Sequence, residues 1–338
     1  MTLRDDLLAA GRRAAAVLDD AQLPDRLAQG FTRVDPFAIA AIAAVPIIVR
    51  PLDKLLGAFL REDQPGIILN SARPAGLVHM TCAHELGHYF MGHKSTSDQH
   101  IDYNSSASLV ERQADLFAYS LLMPRRLLLK LMKIKGWGAT SFFDPVVVYQ
   151  LSLRLGMSFT GAVWSLHRQN LLPLDRAQAL AAVHPVDLKL GLTTDVLHDP
   201  ANQDVWLLDS SDKDLILEPR KDDRFTIDLP SRAGAGYLWT VSEAANQGFE
   251  LRPVLVDGRQ QGPEPEDVLV GGKRSLRYSL NHANSELTSM ALKFREAQPW
   301  RPATTRGESF DVSTQLETIT LGLTPESRQR LVREVAAQ

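Results

Sequence analysis

Thr81-Cys82-Ala83-His84-Glu85-Leu86-Gly87-His88 is the stretch on which the reading of this chain turns. It lies inside a helix-period segment that runs from Gly76 to about Gly92. Residues four apart stand about 40° from each other around a helix, so His84 and His88 project from one face. Such a face can hold a divalent metal at roughly 2.0–2.1 Å from each imidazole nitrogen. Glu85 sits beside both, where its carboxylate reaches a water polarised by that metal. Zinc brings the pKa of such a water to about 7, and a neighbouring carboxylate can then take its proton.

This arrangement is the helix-borne pattern of zinc peptidases. Two core histidines bracketing a glutamate would spell the same five residues, so the reading needs a third ligand. The next helical run, Leu109 to Met123, opens the string Glu111-Arg-Gln-Ala-Asp115-Leu-Phe-Ala118. Glu111, Ala114, Asp115 and Ala118 share one face at helical spacing. Two carboxylates among alanines are costly to bury without a cation or donors opposite. A metal facing Glu111, with Asp115 accepting a hydrogen bond from a ligand histidine, satisfies both. His93 competes for the third position, but it falls one residue short of where three-histidine zinc peptidases place their last ligand. Asp98, His100 and Asp102, in the polar stretch Lys94 to Ser108, are weaker competitors.

Upstream, Asp35 caps a helix opened by Pro36, and amphipathic helix fills the first thirty residues. Ile47-Ile-Val-Arg50, Leu56-Gly-Ala-Phe-Leu60 and Gly66-Ile-Ile-Leu-Asn70 read as three short strands in a hairpin or meander. Downstream, helices continue to about residue 183. Around His184-Pro185 the texture changes to short alternating segments: Asp204 to Leu208, Asp214 to Glu218, Arg224 to Leu229, Tyr237 to Val241, Ser275 to Leu280 and Thr288 to Phe294. The expected fold is α+β: a zincin-like helical peptidase domain with a small β-sheet over 1–190, then an immunoglobulin-like antiparallel β-sandwich over 196–302. Residues 303–338 read as a linker and a C-terminal helix, Pro325 to Ala336.

The chain has 338 residues and a net charge of -3, which gives no electrostatic reason for bulk binding to nucleic acid or anionic membrane. Cys82 is the only cysteine and cannot form an internal disulfide, as in a reducing compartment. The apolar window Phe37 to Val49 is too short to span a bilayer. The expected location is the cytoplasm.

The first half resembles the ImmA/IrrE-type metallopeptidases from about Val34 to Leu172. The marks are Gly66-Ile-Ile-Leu-Asn70, Thr81-Cys-Ala-His-Glu-Leu-Gly-His88 and Glu111-x-x-Ala-Asp-x-Phe-Ala-x-x-Leu-Leu-Met-Pro124. The resemblance implies that His84, His88 and Glu111 bind zinc and that Glu85 is the catalytic base. It also implies a narrow substrate: one helix-turn-helix repressor, cut under stress or mobile-element induction to relieve repression. Met80 stands where the family usually has an aromatic residue. Leu151 to Leu166, with Gly156 in its turn, itself resembles a helix-turn-helix. With only Arg154, His167 and Arg168 nearby, a helical lid packed over the peptidase core is the better reading, and direct nucleic-acid contact is not expected.

The second half resembles chagasin-like inhibitors of cysteine peptidases over roughly residues 204 to 302. The marks are Ala233-Gly-Ala-Gly-Tyr-Leu-Trp239, Val270-Gly-Gly272 and Gln298-Pro-Trp-Arg301, in that order. That family presents three loops from one end of its sandwich, which makes Gly234, Gly236, Tyr237, Gly271, Gly272 and Trp300 candidate partner-binding residues. Trp239 is expected as a core anchor and Trp300 near a loop end, exposed. Ser231-Arg-Ala-Gly-Ala235 departs from the polar first loop of the family. Two functions therefore stand side by side: a site-specific zinc endopeptidase with a recognition or regulatory domain, and a binding protein that captures a cysteine peptidase on a metal-domain scaffold.

Overall fold

Helix formation in the first 183 residues follows the capping and patterning rules. The computed structural model describes residues 3–98, 108–193, 196–240, 249–253, 274–282, 289–300 and 307–336. They form two units, one of Met1–Val183 with Thr318–Gln338, the other of His184–Glu317. In the first, α1 (Leu3–Asp20) and α2 (Leu23–Ala28) precede α3 (Pro36–Ile42). The Asp35 carboxylate caps α3 by accepting from the amides of Phe37 and Ala38, at 2.9 and 3.2 Å. The central helix α4 (Ala75–Met91) is buried on nearly every side from Val78 to His88. α5 (Leu109–Leu122) packs along it and ends before Pro124. α6 (Arg125–Lys135), α7 (Pro145–Leu155), α8 (Phe159–Arg168) and α9 (Leu174–Ala181) complete the helical part.

β1 (Ile47–Arg50), β2 (Gly57–Leu60) and β3 (Gly66–Asn70) form where the alternating apolar runs place them. Their order differs from a meander. β2 is antiparallel to β3, while β1 lies on the other side of β3 and runs parallel to it. Alternation shows that a strand exists but does not choose its neighbour. The connection after β1 makes that choice, and Asn70 holds it. The Asn70 side-chain amide donates to the carbonyls of Leu52 and Leu55, both at 2.7 Å, and its oxygen accepts from the amides of Leu52 and Ala72 at 3.1 and 3.0 Å. Replacing this buried residue by alanine strands four backbone groups and is expected to cost roughly 2–4 kcal/mol. Urea unfolding measures it; a loss under about 1 kcal/mol would mean that the loop is held by other contacts. A further strand, β4 (Thr96–Asp98), pairs antiparallel with β2 inside the segment read as a loop.

The second unit opens with α10 (Pro185–Leu192). Its strands are β5 (Val205–Asp209), β6 (Ile216–Leu217), β7 (Arg224–Ser231), β8 (Leu238–Thr240), β9 (Phe249–Pro253), β10 (Arg274–His282), β11 (Ser289–Ala297) and β12 (Ser309–Gln315). They make two four-stranded sheets, β5-β7-β10-β9 and β6-β12-β11-β8. Period-two burial gives each sheet an apolar face: Phe225, Ile227 and Leu229 on β7, Met290, Leu292 and Phe294 on β11. The sheets are mixed rather than purely antiparallel, because β5 runs parallel to β7 and β6 parallel to β12.

The chain then re-enters the first unit. β13 (Gly322–Leu323) pairs antiparallel with β1, completing the sheet order β13-β1-β3-β2-β4. α11 (Pro325–Ala336) follows, and the Ser327 hydroxyl accepts from the Ile47 amide at 3.0 Å. The division at 302 is therefore corrected: residues read as a linker supply a central strand, β12, to the second unit and an edge strand to the first, while the helix forms over Pro325–Ala336 as read. A seven-residue strand flanked by polar chain carries little periodic signal, and one of its two partners, β6, lies far away in sequence. Among the described residues, no single helix is long and apolar enough to cross a membrane; α7 and α8 pass such a test together but are bent by 100°.

Candidate metal centre

The site depends on how closely α4 and α5 approach. Gly87 faces Ala114 so tightly that a Cβ there would lie 2.9 Å from both the Cα and the carbonyl oxygen of Ala114. Ala114, itself fully buried, is the matching small residue on α5. Glu111 and Asp115 therefore come up against His84 and His88. At the start of α5 the Ser108 hydroxyl accepts from the Glu111 amide at 3.3 Å, which fixes Glu111 in the first turn, where the helix dipole favours a carboxylate. At the other end, Gly92 adopts φ 76° and closes α4, and the His93 amide turns back to the His88 carbonyl at 2.9 Å. The Arg61 guanidinium caps the same end, donating to the carbonyls of Tyr89 and His93 at 2.7 and 2.5 Å.

Three donor atoms converge. His84 Nε2 and His88 Nε2 are 3.0 Å apart, and Glu111 Oε2 lies 3.2 Å from the first and 3.5 Å from the second. Tetrahedral ligands on a metal at 2.0–2.1 Å stand about 3.3 Å from each other, so the three positions match one coordination face. The hydrogen-bond chemistry agrees. His84 Nδ1 lies 2.9 Å from Asp115 Oδ1, and a carboxylate there takes the imidazole proton. His84 Nε2 is then bare and faces a carboxylate oxygen and a second imidazole nitrogen. Bare acceptors gathered in a buried place call for a cation, and among the described residues this is the one group of three such side chains that could hold a metal ion.

Glu85 is fully buried next to this cluster, with Oε2 accepting from the Thr96 hydroxyl at 3.4 Å. β2 passes above it at Gly57, where a Cβ would stand 2.6 Å from Thr81 Cγ2 and 3.0 Å from Glu85 Oε1. His93, the rejected ligand, does not face the cluster with a nitrogen of its own. Its Nδ1 lies 3.1 Å from His88 Nδ1 and its Nε2 3.1 Å from Gln113 Oε1, and burial is the main cause that pushes its pKa down. His100 and Asp102 lie outside the described residues, as does the Asp98 side chain.

A family model described as the IrrE N-terminal-like domain, of the peptidase M78 family, matches residues 41–160, which hold all of these side chains. Residues 41–160 match an IrrE N-terminal-like domain. The match begins within α3 and ends at the start of α8, so the IrrE-like domain supplies β1 to β4 and both metal-facing helices. The crystal structure of a cysteine protease inhibitor, EhICP2, from Entamoeba histolytica is 16% identical to this chain, over 34% of this chain and 97% of that one, with a TM-score of 0.27. The solution structure of Amebosin is 15% identical over 33% and 96%, with a TM-score of 0.25. No curated protein matches the chain.

The remaining sequence candidates fall into place less evenly. α7, the turn at Gly156 and α8 have the outline of a helix-turn-helix, but α8 is buried from Phe159 through Leu166 apart from Thr160 and Trp164. Arg154 is 0% exposed and bonds to Gln150, so it cannot reach a phosphate. In the second unit, Ala233–Ala235 forms a 3-10 turn, Gly236 takes φ 80°, and Tyr237 stacks under Arg232. Trp300, 68% exposed, lies against Gly236, and the Gln298 amide donates to the Ala235 carbonyl at 3.0 Å. Gly234 faces open space. Gly271 and Gly272 lie outside the described residues. Trp239 is not the expected core anchor: it is only half-buried, and its Nε1 donates to the Pro230 carbonyl at 3.0 Å.

Proposed function

We propose that the IrrE-like domain is a zinc-dependent endopeptidase that cuts one specific protein in the cytoplasm, a helix-turn-helix repressor, and that the second unit recognises or regulates that partner. The observation that carries this reading is the convergence of two imidazole nitrogens and a carboxylate oxygen beside the buried carboxylate of Glu85. Zinc held by His84, His88 and Glu111 supplies Lewis acidity, polarising a scissile carbonyl and bringing the pKa of water to about 7. The chain's own groups do the rest. Glu85 takes the proton of the attacking water on a carboxylate oxygen and delivers it to the departing amide nitrogen. Asp115 holds His84 in the Nδ1–H form, which keeps Nε2 bare. β4 ends the sheet order, and no described strand pairs with its outer edge. An extended substrate segment added there would lie beside Thr96, which touches Glu85. Cutting a repressor in this way lifts repression under stress.

The test is direct. The full chain, loaded with zinc, is incubated with purified small helix-turn-helix repressors from the same source. Cleavage at one site is expected, stopped by a chelator and restored by added zinc. A chain that retains no metal after dialysis against excess zinc would remove the basis of the reading.

A second reading rests on the second unit, where the 231–237 segment and Gln298–Trp300 lie together with an exposed tryptophan. Such a cluster could grip a cysteine peptidase, although Ser231-Arg-Ala-Gly-Ala235 alters the first loop. Adding the full chain to papain separates the two: inhibition supports capture, and full papain activity dismisses it.

A further inference from the structure

We propose that His93, backed by Gln113, is the positioning group for His88, setting the tautomer in which His88 presents a bare Nε2 to the metal. This rests on the zinc reading of the same site. With both imidazoles neutral and the Gln113 oxygen facing His93, the contacts leave one consistent arrangement of protons. Gln113 Oε1 only accepts, so His93 Nε2, 3.1 Å away, carries the hydrogen. Neutral His93 then has a bare Nδ1. His88 Nδ1, 3.1 Å from that atom, must be the donor of the pair, which leaves His88 Nε2 without a proton. The opposite assignment puts a hydrogen on His88 Nε2, aimed at His84 Nε2 and Glu111, and blocks coordination.

The backbone makes this contact available. Gly92 reverses the chain at the end of α4 and the His93 amide bonds to the His88 carbonyl, which brings the His93 ring back beside the His88 ring, with centroids 5.0 Å apart. The spacing that disqualifies His93 as a ligand is the spacing this turn requires. His84 is served differently, by Asp115 directly. α5 therefore supplies one ligand, Glu111, and sets the orientation of both histidines, through Asp115 on one side and through Gln113 and His93 on the other.

The test measures zinc affinity by competition with a chromophoric chelator, together with the visible spectrum of the cobalt-substituted full chain. His93→Leu is expected to weaken zinc binding by about 10–100-fold and to alter the cobalt spectrum. His93→Asn, whose Oδ1 can accept where Nδ1 did, should return most of that loss; a purely packing role would not be rescued this way. Gln113→Leu should weaken binding in the same sense, and the double leucine variant should be no weaker than His93→Leu alone, as for groups acting in series. If His93→Leu does not fold, as judged by thermal unfolding of the apo-protein, Gln113→Leu and His93→Asn decide. Tight binding by wild type with equal affinity in His93→Leu overturns the relay and leaves the zinc reading standing, as does a His93→Asn as weak as His93→Leu. A wild-type chain that binds no zinc overturns both.

Discussion

Glu85→Gln is expected to leave zinc content unchanged and to lower the turnover of the protein substrate by about 10²–10⁴-fold. Glutamine keeps the volume of the buried side chain and an oxygen for the Thr96 hydroxyl, so the packing beneath Gly57 survives. What it loses is the capacity to take a proton. Because Glu85 is not among the three converging donors, metal affinity should not move. The loss should therefore appear in kcat with KM nearly constant, since substrate binding does not use this carboxylate. Single-turnover cleavage of the purified partner, alongside metal analysis of the same sample, measures both quantities. Activity retained within tenfold would remove Glu85 from the role of base.

Gly87→Ala is expected to disturb the metal centre through a single added methyl group. The new Cβ meets backbone atoms of Ala114 at 2.9 Å, and backbone cannot swing aside as a side chain can. α5 must recede, carrying Glu111 and Asp115, which flank Ala114 on the face turned toward the histidines. Overpacking of this kind costs about 1–3 kcal/mol in stability. The sharper result is chemical: spreading the ligands and lengthening the His84–Asp115 bond should each weaken zinc, at least tenfold in all. Chelator competition and thermal unfolding of apo- and zinc-loaded protein distinguish the two losses. Wild-type affinity in Gly87→Ala would mean that the close helix contact does not set the ligand spacing.

Much of this centre was legible from residue types alone. The histidine pair and Glu85 declare themselves through spacing on one helix, and Glu111 with Asp115 through the cost of placing two carboxylates on an alanine face. Glu111 Oε2 lies 3.2 and 3.5 Å from the Nε2 atoms of His84 and His88, and Asp115 Oδ1 lies 2.9 Å from His84 Nδ1. What stayed hidden depended on contacts that no local pattern encodes. Asn70 was visible as the end of a strand, but its three bonds to a loop fifteen and more residues upstream were not. His93 was weighed only as a ligand, because spacing rules speak of metals and not of a neighbour's ring nitrogen. β4 and β13 are too short and too polar for alternation to mark, and each exists because a longer strand lies beside it. β12, seven residues long, was read as linker although its Phe310 and Val312 alternate into the core. The meander failed because period-two patterning is silent about which edge a strand takes.

The return of the chain to β1 has a consequence for synthesis. A ribosome delivers residues from the N-terminus onward, and domains generally fold as they emerge. Here the first body waits: the outer edge of β1 and the amide of Ile47 find their partners only when Gly322–Leu323 and Ser327 have been translated. Everything from His184 to Glu317 is made in the interval. The later-born unit can therefore finish folding before the first one does, whose sheet stays incomplete until Gly322–Leu323 emerges.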